Sequence, residues 1–362
     1  MIDTPYLEVD VDRLDRNLTN LAEAARRIGV DVRPHAKTHK CAEIARRQRD
    51  LGAVGLTVAT VGEAEAFADA AAVTCCTDLF IAYPLWTGPT KAARLRALAD
   101  RVALRVGVDS VDGARHLAES VGAASIRVLV EVDSGQHRTG VVPERAGEVA
   151  AAASAAGLDV IGVFTFPGHS YGVGDTRRAA AVAEVRALAA AAESLRAHGL
   201  EPLVRSGGST PTVGLLDEVT PGVLTEIRPG VYPFNDAQQI EIGSCGFDDV
   251  ALTAVATVVR RDDGRRIVVD AGSKILGADR APWATGYGRL LDHPDARIVQ
   301  LSEHHAVVDF PDRTPGDDIP RLGSLVRVVP NHVCNAVNLV DELVAIDGED
   351  TRWPVIARGR NS

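Results

Sequence analysis

The 362-residue chain is poor in cysteine, in basic charge and in long apolar runs, and each shortage removes a class of function. Its five cysteines (Cys41, Cys75, Cys76, Cys245, Cys334) are odd in number, scattered, and form no C-x-x-C pair. That argues against a disulfide framework and for a reducing compartment. Lys and Arg number 39 against 49 Asp and Glu, a formal net charge of −10. A protein that neutralises phosphates needs a basic surface, so nucleic acid is not an expected partner. No stretch reaches the roughly 18–20 consecutive apolar residues of a membrane span. The start, Met-Ile-Asp-Thr-Pro, has no basic segment followed by an apolar core, so no secretion signal is expected. No G-x-G-x-x-G follows an early strand, which leaves dinucleotide binding without support. What remains, 46% hydrophobic and 24% charged, is the composition of a globular and, by expectation, cytoplasmic enzyme.

Two regimes follow along the chain. Up to about Asp236, short β-branched runs (Val54–Ala59, Asp78–Ala82, Val102–Val108, Arg127–Val132, Val160–Phe166, Pro202–Ser206) alternate with helical stretches. The latter are Val11–Ile28, Lys40–Leu51, Glu63–Ala72, Thr90–Asp100, Val111–Val121, Ala146–Ala156 and Thr176–His198. Strand and helix alternating at about 25 residues imply right-handed βαβ units and a parallel sheet. About eight units favour a closed (β/α)₈ barrel over an open sheet. After about Ile240, Val250–Arg260, Arg266–Asp270, Ala296–Leu301, Ala306–Phe310 and Leu325–Val329 read as strands between Asp/Gly/Pro turns. The expected division is a barrel over residues 6–240 and an all-β domain from residues 1–5 and 241–362.

Catalytic groups of such a barrel sit at the C-terminal ends of its strands. There the chain places Arg33-Pro34-His35-Ala36-Lys37-Thr38-His39-Lys40, a dense basic locus. A lysine amine crowded by cations and withdrawn from water is the usual partner of a carbonyl in Schiff-base chemistry; a solvated basic loop is the plain alternative. Ser206-Gly207-Gly208-Ser209-Thr210-Pro211-Thr212 and Glu226-Ile227-Arg228-Pro229-Gly230-Val231-Tyr232 combine glycine, hydroxyls and a helix start, the elements of an anion cradle. In Glu131-Val132-Asp133-Ser134-Gly135-Gln136-His137-Arg138, Arg138 could hold an anionic oxygen and Asp133 could orient it. His169 and Tyr171 lie in a further strand-end loop, Phe166–Tyr171. Pro330-Asn331-His332-Val333-Cys334 offers two zinc-type ligands, which an extended segment would set on one face. A buried histidine beside a core cysteine is the competing reading there.

Together these motifs resemble one family, the fold-type III pyridoxal 5′-phosphate (PLP) enzymes, in the branch of D-threonine aldolase and metal-dependent D-serine dehydratase. The resemblance rests on R-P-H-A-K-T-H-K at 33–40, E-V-D-S-G-x-x-R-x-G-V at 131–141, S-G-G-S-T-P-T at 206–212, E-I-R-P-G-x-Y at 226–232, D-A-G-S-K at 270–274 and P-N-H-V-C at 330–334, in the family's order. It implies an alanine-racemase-like barrel followed by a β-domain. It also implies that Lys37 is the Schiff-base lysine and that Arg138 contacts the cofactor's phenolic oxygen. Gly208, Ser209, Gly230 and Tyr232 fall where the phosphate binds; Tyr171, Ser206 and Thr210 complete the expected cofactor set. His332 and Cys334 match the pair that holds a divalent metal, zinc above manganese or cobalt. One departure from the family pattern is Ser302-Glu303-His304-His305, where a second glutamate would be expected.

The implied activity is a lyase on D-β-hydroxy amino acids, in a homodimer. His-x-Cys favours a dehydratase of D-serine, D-threonine or 3-hydroxy-D-aspartate, releasing a keto acid and ammonia. The alternative is a D-threonine aldolase releasing glycine and an aldehyde, with His169 or a metal-bound hydroxide as base. An amino-acid racemase would need a second base, for which Tyr287 is the candidate. A non-catalytic PLP-binding protein would resemble the barrel alone.

Overall fold

Apolar spacing and helix-start chemistry account for most of the helices. Leu14, Leu18, Leu21 and Ala25 recur at helical spacing and are buried along Val11–Ile28. Thr60 and Ser110 cap Val61–Asp69 and Val111–Val121, accepting the N–H of Glu63 (3.0 Å) and of Gly113 (3.1 Å). Gly199, at φ +77°, ends the long helix Thr176–Ala197.

The computed structural model describes residues 2–122, 124–219, 222–262, 264–348 and 350–362. It divides into two compact units. One gathers Met1–Thr19, Thr38–Cys41 and Val231–Gly359; the other gathers Asn20–Lys37, Ala42–Gly230 and Arg360–Ser362. No helix among the described residues is long and apolar enough to cross a membrane.

The second unit holds eight parallel strands in the order Asp31–Val32, Glu226–Ile227, Val204–Gly207, Asp159–Phe164, Ile126–Glu131, Ala103–Val108, Asp78–Pro84 and Leu56–Val58. The two ends of that order meet: Val54 N–H donates to Val32 O and Thr57 N–H to Pro34 O, both at 2.9 Å, and His35 bridges Thr57. The sheet therefore closes, and the expected (β/α)₈ barrel is present. Most strand bounds fall within about two residues of the sequence reading, because strands buried on both faces read as continuous apolar runs. Leu104, Val106, Val128, Leu129, Val130 and Val163 are all fully buried. Phe80 and Phe164 meet edge to face at 5.0 Å, an approach that depends on Gly107, where a Cβ would lie 2.7 Å from the Phe164 ring.

The barrel interior also contains a layer of charge that an apolar strand pattern does not announce. Arg33, with no exposure, pairs through Nε with Glu226 (2.7 Å) and through Nη1 with Asp78 (2.8 Å). Arg105 reaches the same two carboxylates at 3.0 and 3.3 Å. Burial raises Glu226, but Arg33 and Arg105 outweigh it and hold the carboxylate below its ordinary range.

The other unit is built on a nine-stranded sheet. Its path runs Arg297–Leu301, Ala306–Asp309, Arg266–Val269, Leu252–Arg261, Tyr6–Asp10, Glu342–Ile346 and Asp350–Pro354. Leu325–Pro330 pairs with the first half of Leu252–Arg261 and also with Gly288–Leu290. An irregularity between Val258 and Arg260 marks where Leu252–Arg261 changes partner. Tyr6–Asp10, read from sequence as the start of the barrel, pairs antiparallel with Leu252–Arg261 and parallel with Glu342–Ile346.

Candidate active site

At the C-terminal end of the barrel strands lies a cavity of about 350 Å³ lined by His35, Lys37, Ala59, Ala82, Tyr83, Arg138, Thr139, Phe166 and Arg228. Its size and mixture of aromatic and cationic walls suit a small anionic aromatic ligand. Lys37 Nζ stands 5.5 Å from the centroid of the Phe166 ring and the Arg138 guanidinium 5.4 Å from it. Two cations thus share one aromatic wall.

The basic locus at 33–40 is not one site. Arg33 is locked inside the barrel, while His39 and Lys40 belong to the other unit, where Lys40 Nζ donates to Asn338 Oδ1 at 2.7 Å. Only His35 and Lys37 of that run line the cavity. Arg33 directly follows the strand Asp31–Val32 and is fully buried, and the boundary between units falls just after Lys37. Asp133 is not paired with Arg138 either: it accepts the N–H groups of Gly135 and His137 and the His137 ring, so it orders its own loop.

Arg228, quoted above only as part of a motif, is a central wall of the site. Its guanidinium is buried, donates to Ser206 Oγ and Thr165 O, and stacks over Phe80 and Phe164. Burial lowers it to about 10, against the pull of Glu226, Glu131 and Glu184. The signal was present in Glu226-Ile227-Arg228, where two charges at i and i+2 on a barrel strand face the same side.

The glycine-rich loop is tightly organised. Ser206 Oγ donates to Glu226 Oε1 at 2.7 Å, and the Gly208 N–H donates to Glu184 Oε2 at 3.1 Å. Both groups are therefore committed within the fold. Ser209 caps Thr210–Val213, with its Oγ 3.0 Å from Ser170 Oγ and 3.2 Å from Thr212 Oγ1. Gly208, at φ +78°, would set a Cβ 3.1 Å from Ile227 Cβ, so the turn is glycine's. Gly230 follows Arg228 in the barrel unit, whereas Tyr232 belongs to the other unit. The Tyr171 ring lies 6.4 Å from Phe166. His169 is not among the residues lining the cavity. Its Nδ1 is buried with no hydrogen-bond partner among the described residues, its ring packs against Gly135, and burial lowers its proton affinity despite Asp133.

Glu131 lies behind Arg138 and Thr139. Its Oε1 accepts the Thr139 hydroxyl at 2.9 Å, Oε2 has no partner among the described residues, and burial pushes it up to about 7 against Thr139 and Arg138. A carboxyl raised in the fold from 4.5 favours the native state fully below 4.5, and that stabilisation is lost as pH rises to about 7. Glu131→Gln is therefore expected to raise the melting temperature of the cofactor-free protein at pH 8 by a few degrees more than at pH 5. Equal shifts at both pH values would show that Glu131 titrates normally.

In the other unit the strand Leu325–Pro330 ends before the metal-type pair. His332 is the extended N-cap of the short helix Val333–Val337 and Cys334 lies in its first turn. The pair is therefore brought together by a helix start, not by the period-two strand expected from sequence. The His332 Nδ1 faces Asp236 Oδ2 at 3.4 Å, and that same oxygen accepts the Val333 N–H at 3.1 Å. Cys334 Sγ lies 3.2 Å from Thr38 Oγ1. Burial opposes charge on His332, but Cys334 and Asp236 outweigh it and raise its proton affinity well above the ordinary value. Surroundings that attract a proton so strongly also attract a divalent cation, and an imidazole with a thiolate is a donor set suited to zinc. Among the described residues no group of three or more His, Cys, Asp or Glu is arranged to hold a metal, so the fit is to a site with two protein ligands and open positions. His304 and His305 lie on an exposed turn. Tyr287 lies under the Arg280 guanidinium at 5.1 Å.

Comparison with known proteins agrees with this fold. The alanine racemase N-terminal domain family matches residues 9–237, and the "Putative serine dehydratase domain" family matches residues 251–346. The chain is 34% identical to D-threo-3-hydroxyaspartate dehydratase of Delftia sp. (strain HT23), covering 97% of each chain. It is also 34% identical to D-threonine aldolase of Arthrobacter sp, covering 99% of this chain and 93% of that one. The solved structure of the Delftia dehydratase superposes with a TM-score of 0.88 at 32% identity, over 98% of this chain and 97% of that one. The chain thus belongs to the alanine racemase N-terminal domain family, among relatives that include D-threo-3-hydroxyaspartate dehydratase and D-threonine aldolase.

Proposed function

We propose that the chain is a PLP-dependent, divalent-metal-assisted lyase of D-β-hydroxy amino acids, acting first as a dehydratase. The observation that carries this reading is the cavity lined by Lys37, Arg138 and Arg228, in which the Lys37 amine and Arg138 share the aromatic wall of Phe166. The dehydratase name among the relatives and the His332–Cys334 pair support the choice of reaction.

When bound, PLP supplies an electron sink for negative charge at the substrate Cα, and the metal supplies a Lewis acid for the departing β-hydroxyl. The protein's part follows from its own atoms. Lys37 Nζ would hold the cofactor's carbonyl carbon and carry the proton of the substrate Cα. Arg138 would hold the phenolic oxygen, and Phe166 and Tyr83 would flank the ring. Arg228 stays buried and cationic on the cavity wall, kept in place by Ser206 and Thr165. Ser209, Thr210 and Gly230 would hold the phosphate, since Ser206 and Gly208 are committed to Glu226 and Glu184. His332 and Cys334 would hold the metal, with Asp236 occupying Nδ1 and leaving Nε2 for it. A cytoplasmic homodimer is the assembly we favour.

A second reading is a D-threonine aldolase, favoured by equal identity to the Arthrobacter enzyme. In that case His169, kept neutral by burial, would take the β-hydroxyl proton. Incubation with D-serine, D-threonine and 3-hydroxy-D-aspartate decides between them. Ammonia with a keto acid is the expected outcome; glycine with an aldehyde would establish the aldolase, and inversion alone would overturn both.

A further inference from the structure

The long helix Thr176–Ala197 carries one residue that its apolar stripe should not contain. Ala180, Glu184, Leu188, Ala191 and Leu195 recur at helical spacing and are all buried. Glu184, fully enclosed, is the only charged member. Its Oε2 accepts the Gly208 N–H at 3.1 Å, and the Thr212 hydroxyl is its other hydrogen-bonding neighbour. Its Oε1 has no hydrogen-bond partner among the described residues. The charged group facing it is Arg228, whose guanidinium is committed to Ser206 Oγ and Thr165 O. A buried carboxyl without a direct ion pair, bonded to the backbone of the glycine-rich loop proposed to hold the phosphate, calls for a role beyond packing.

We propose that Glu184 is a positioning residue for the cofactor phosphate: it holds the Gly208 amide, and with it the left-handed turn of the loop, and it does so as a neutral carboxyl group once a phosphate is bound. This inference rests on the reading of Ser206–Thr212 as part of the phosphate site. The physical basis is like-charge exclusion. A phosphate dianion held by the loop and a buried carboxylate bonded to that loop's Gly208 amide repel strongly, and the carboxylate relieves this by taking one proton from solvent. Burial already pushes Glu184 up to about 7, with the Gly208 amide, Thr212 and Arg228 pulling the other way. Either form is therefore accessible near neutrality, and a bound anion selects the neutral one.

The test uses pyridoxamine 5′-phosphate, which carries the phosphate but no carbonyl to react with Lys37, and pyridoxamine as the phosphate-free control. Both are titrated into the cofactor-free full chain by calorimetry from pH 5 to 8.5, in buffers of differing ionisation heat. In the wild type, affinity for the phosphorylated probe should fall about tenfold between pH 6.5 and 8.5, beyond any change shared with the control. Proton uptake should accompany binding at pH 8, and its excess over that of Glu184→Gln should vanish near pH 5, where Glu184 is already neutral and the probe's own phosphate contributes equally to both proteins. Glu184→Gln keeps an acceptor for the Gly208 N–H; it should flatten the profile, abolish the extra uptake and bind more tightly than wild type at pH 8.5. Glu184→Ala should bind weakly at every pH. Identical pH profiles for wild type and Glu184→Gln would overturn the proposal. So would absence of proton uptake in the wild type, a measurement that does not depend on any variant folding. Failure of the wild type to prefer the phosphorylated probe would instead overturn the phosphate-site reading, and the proposal with it.

Discussion

Replacing Lys37 with alanine is expected to abolish covalent retention of PLP and to lower turnover by about three orders of magnitude or more. The chain has four lysines, Lys37, Lys40, Lys91 and Lys274, and only Lys37 is among the residues lining the cavity. Lys40 sits in the other unit with its ammonium on Asn338 Oδ1, so it is no substitute. Borohydride reduction of the loaded wild type followed by peptide mass mapping should place the cofactor mass on the peptide containing residue 37. The alanine variant should carry no label and lose the visible absorbance of lysine-bound cofactor. A label retained at Lys40, Lys91 or Lys274 would sink the assignment. Because Lys37 sits at the edge of the barrel unit with its amine towards the cavity, truncation should leave the melting temperature within a few degrees of wild type.

Removal of the metal should have the next largest effect. Exhaustive chelation is expected to lower turnover by at least about 100-fold while leaving PLP absorbance in place. The reason is that His332 and Cys334 belong to one compact unit, whereas Lys37, Arg138 and the loop 206–212 belong to the other. Cys334→Ala should reproduce the loss and lower the metal content of the purified protein, since thiolate and imidazole are both needed for a two-ligand site. Added zinc should restore the chelated wild type but not the variant at the same concentration. Full turnover in excess chelator would show that the pair is structural, with Cys334 merely packed against Thr38.

Much of this was legible before the fold was known, for identifiable reasons. Strand–helix alternation exposes a barrel because each strand is buried on both faces and each helix on one. Lys37, Arg138 and the glycine-rich loop stood out because they combine charge or glycine with strand ends. What the sequence does not reveal is which charges turn inward, in places where periodicity predicts apolar side chains. Arg228, Glu226 and Arg33 point into the barrel, and Glu184 sits on a helix stripe otherwise filled by alanine and leucine. A pattern of apolar spacing records where a residue faces but not that a carboxylate there has found a partner. The sequence sets His332 and Cys334 on one face of a strand, whereas a helix start brings them together. A helix start at Val333 is hard to read after a strand, because no Ser, Thr, Asp or Asn stands at its N-cap.

The charge layer inside the barrel carries a consequence for how this lineage can vary. Glu226, Asp78 and Arg105 come from three strands and Arg33 directly follows a fourth, and the two arginines share the two carboxylates largely out of water. Deleting the buried Glu226 leaves Arg33 and Arg105 under-compensated, a loss of about 3–5 kcal/mol, whereas replacing the set together by well-packed apolar residues can be neutral. The intermediate steps of such a replacement cross a deep fitness valley. The quartet is expected to change in concert or not at all, like a word whose letters cannot be altered singly.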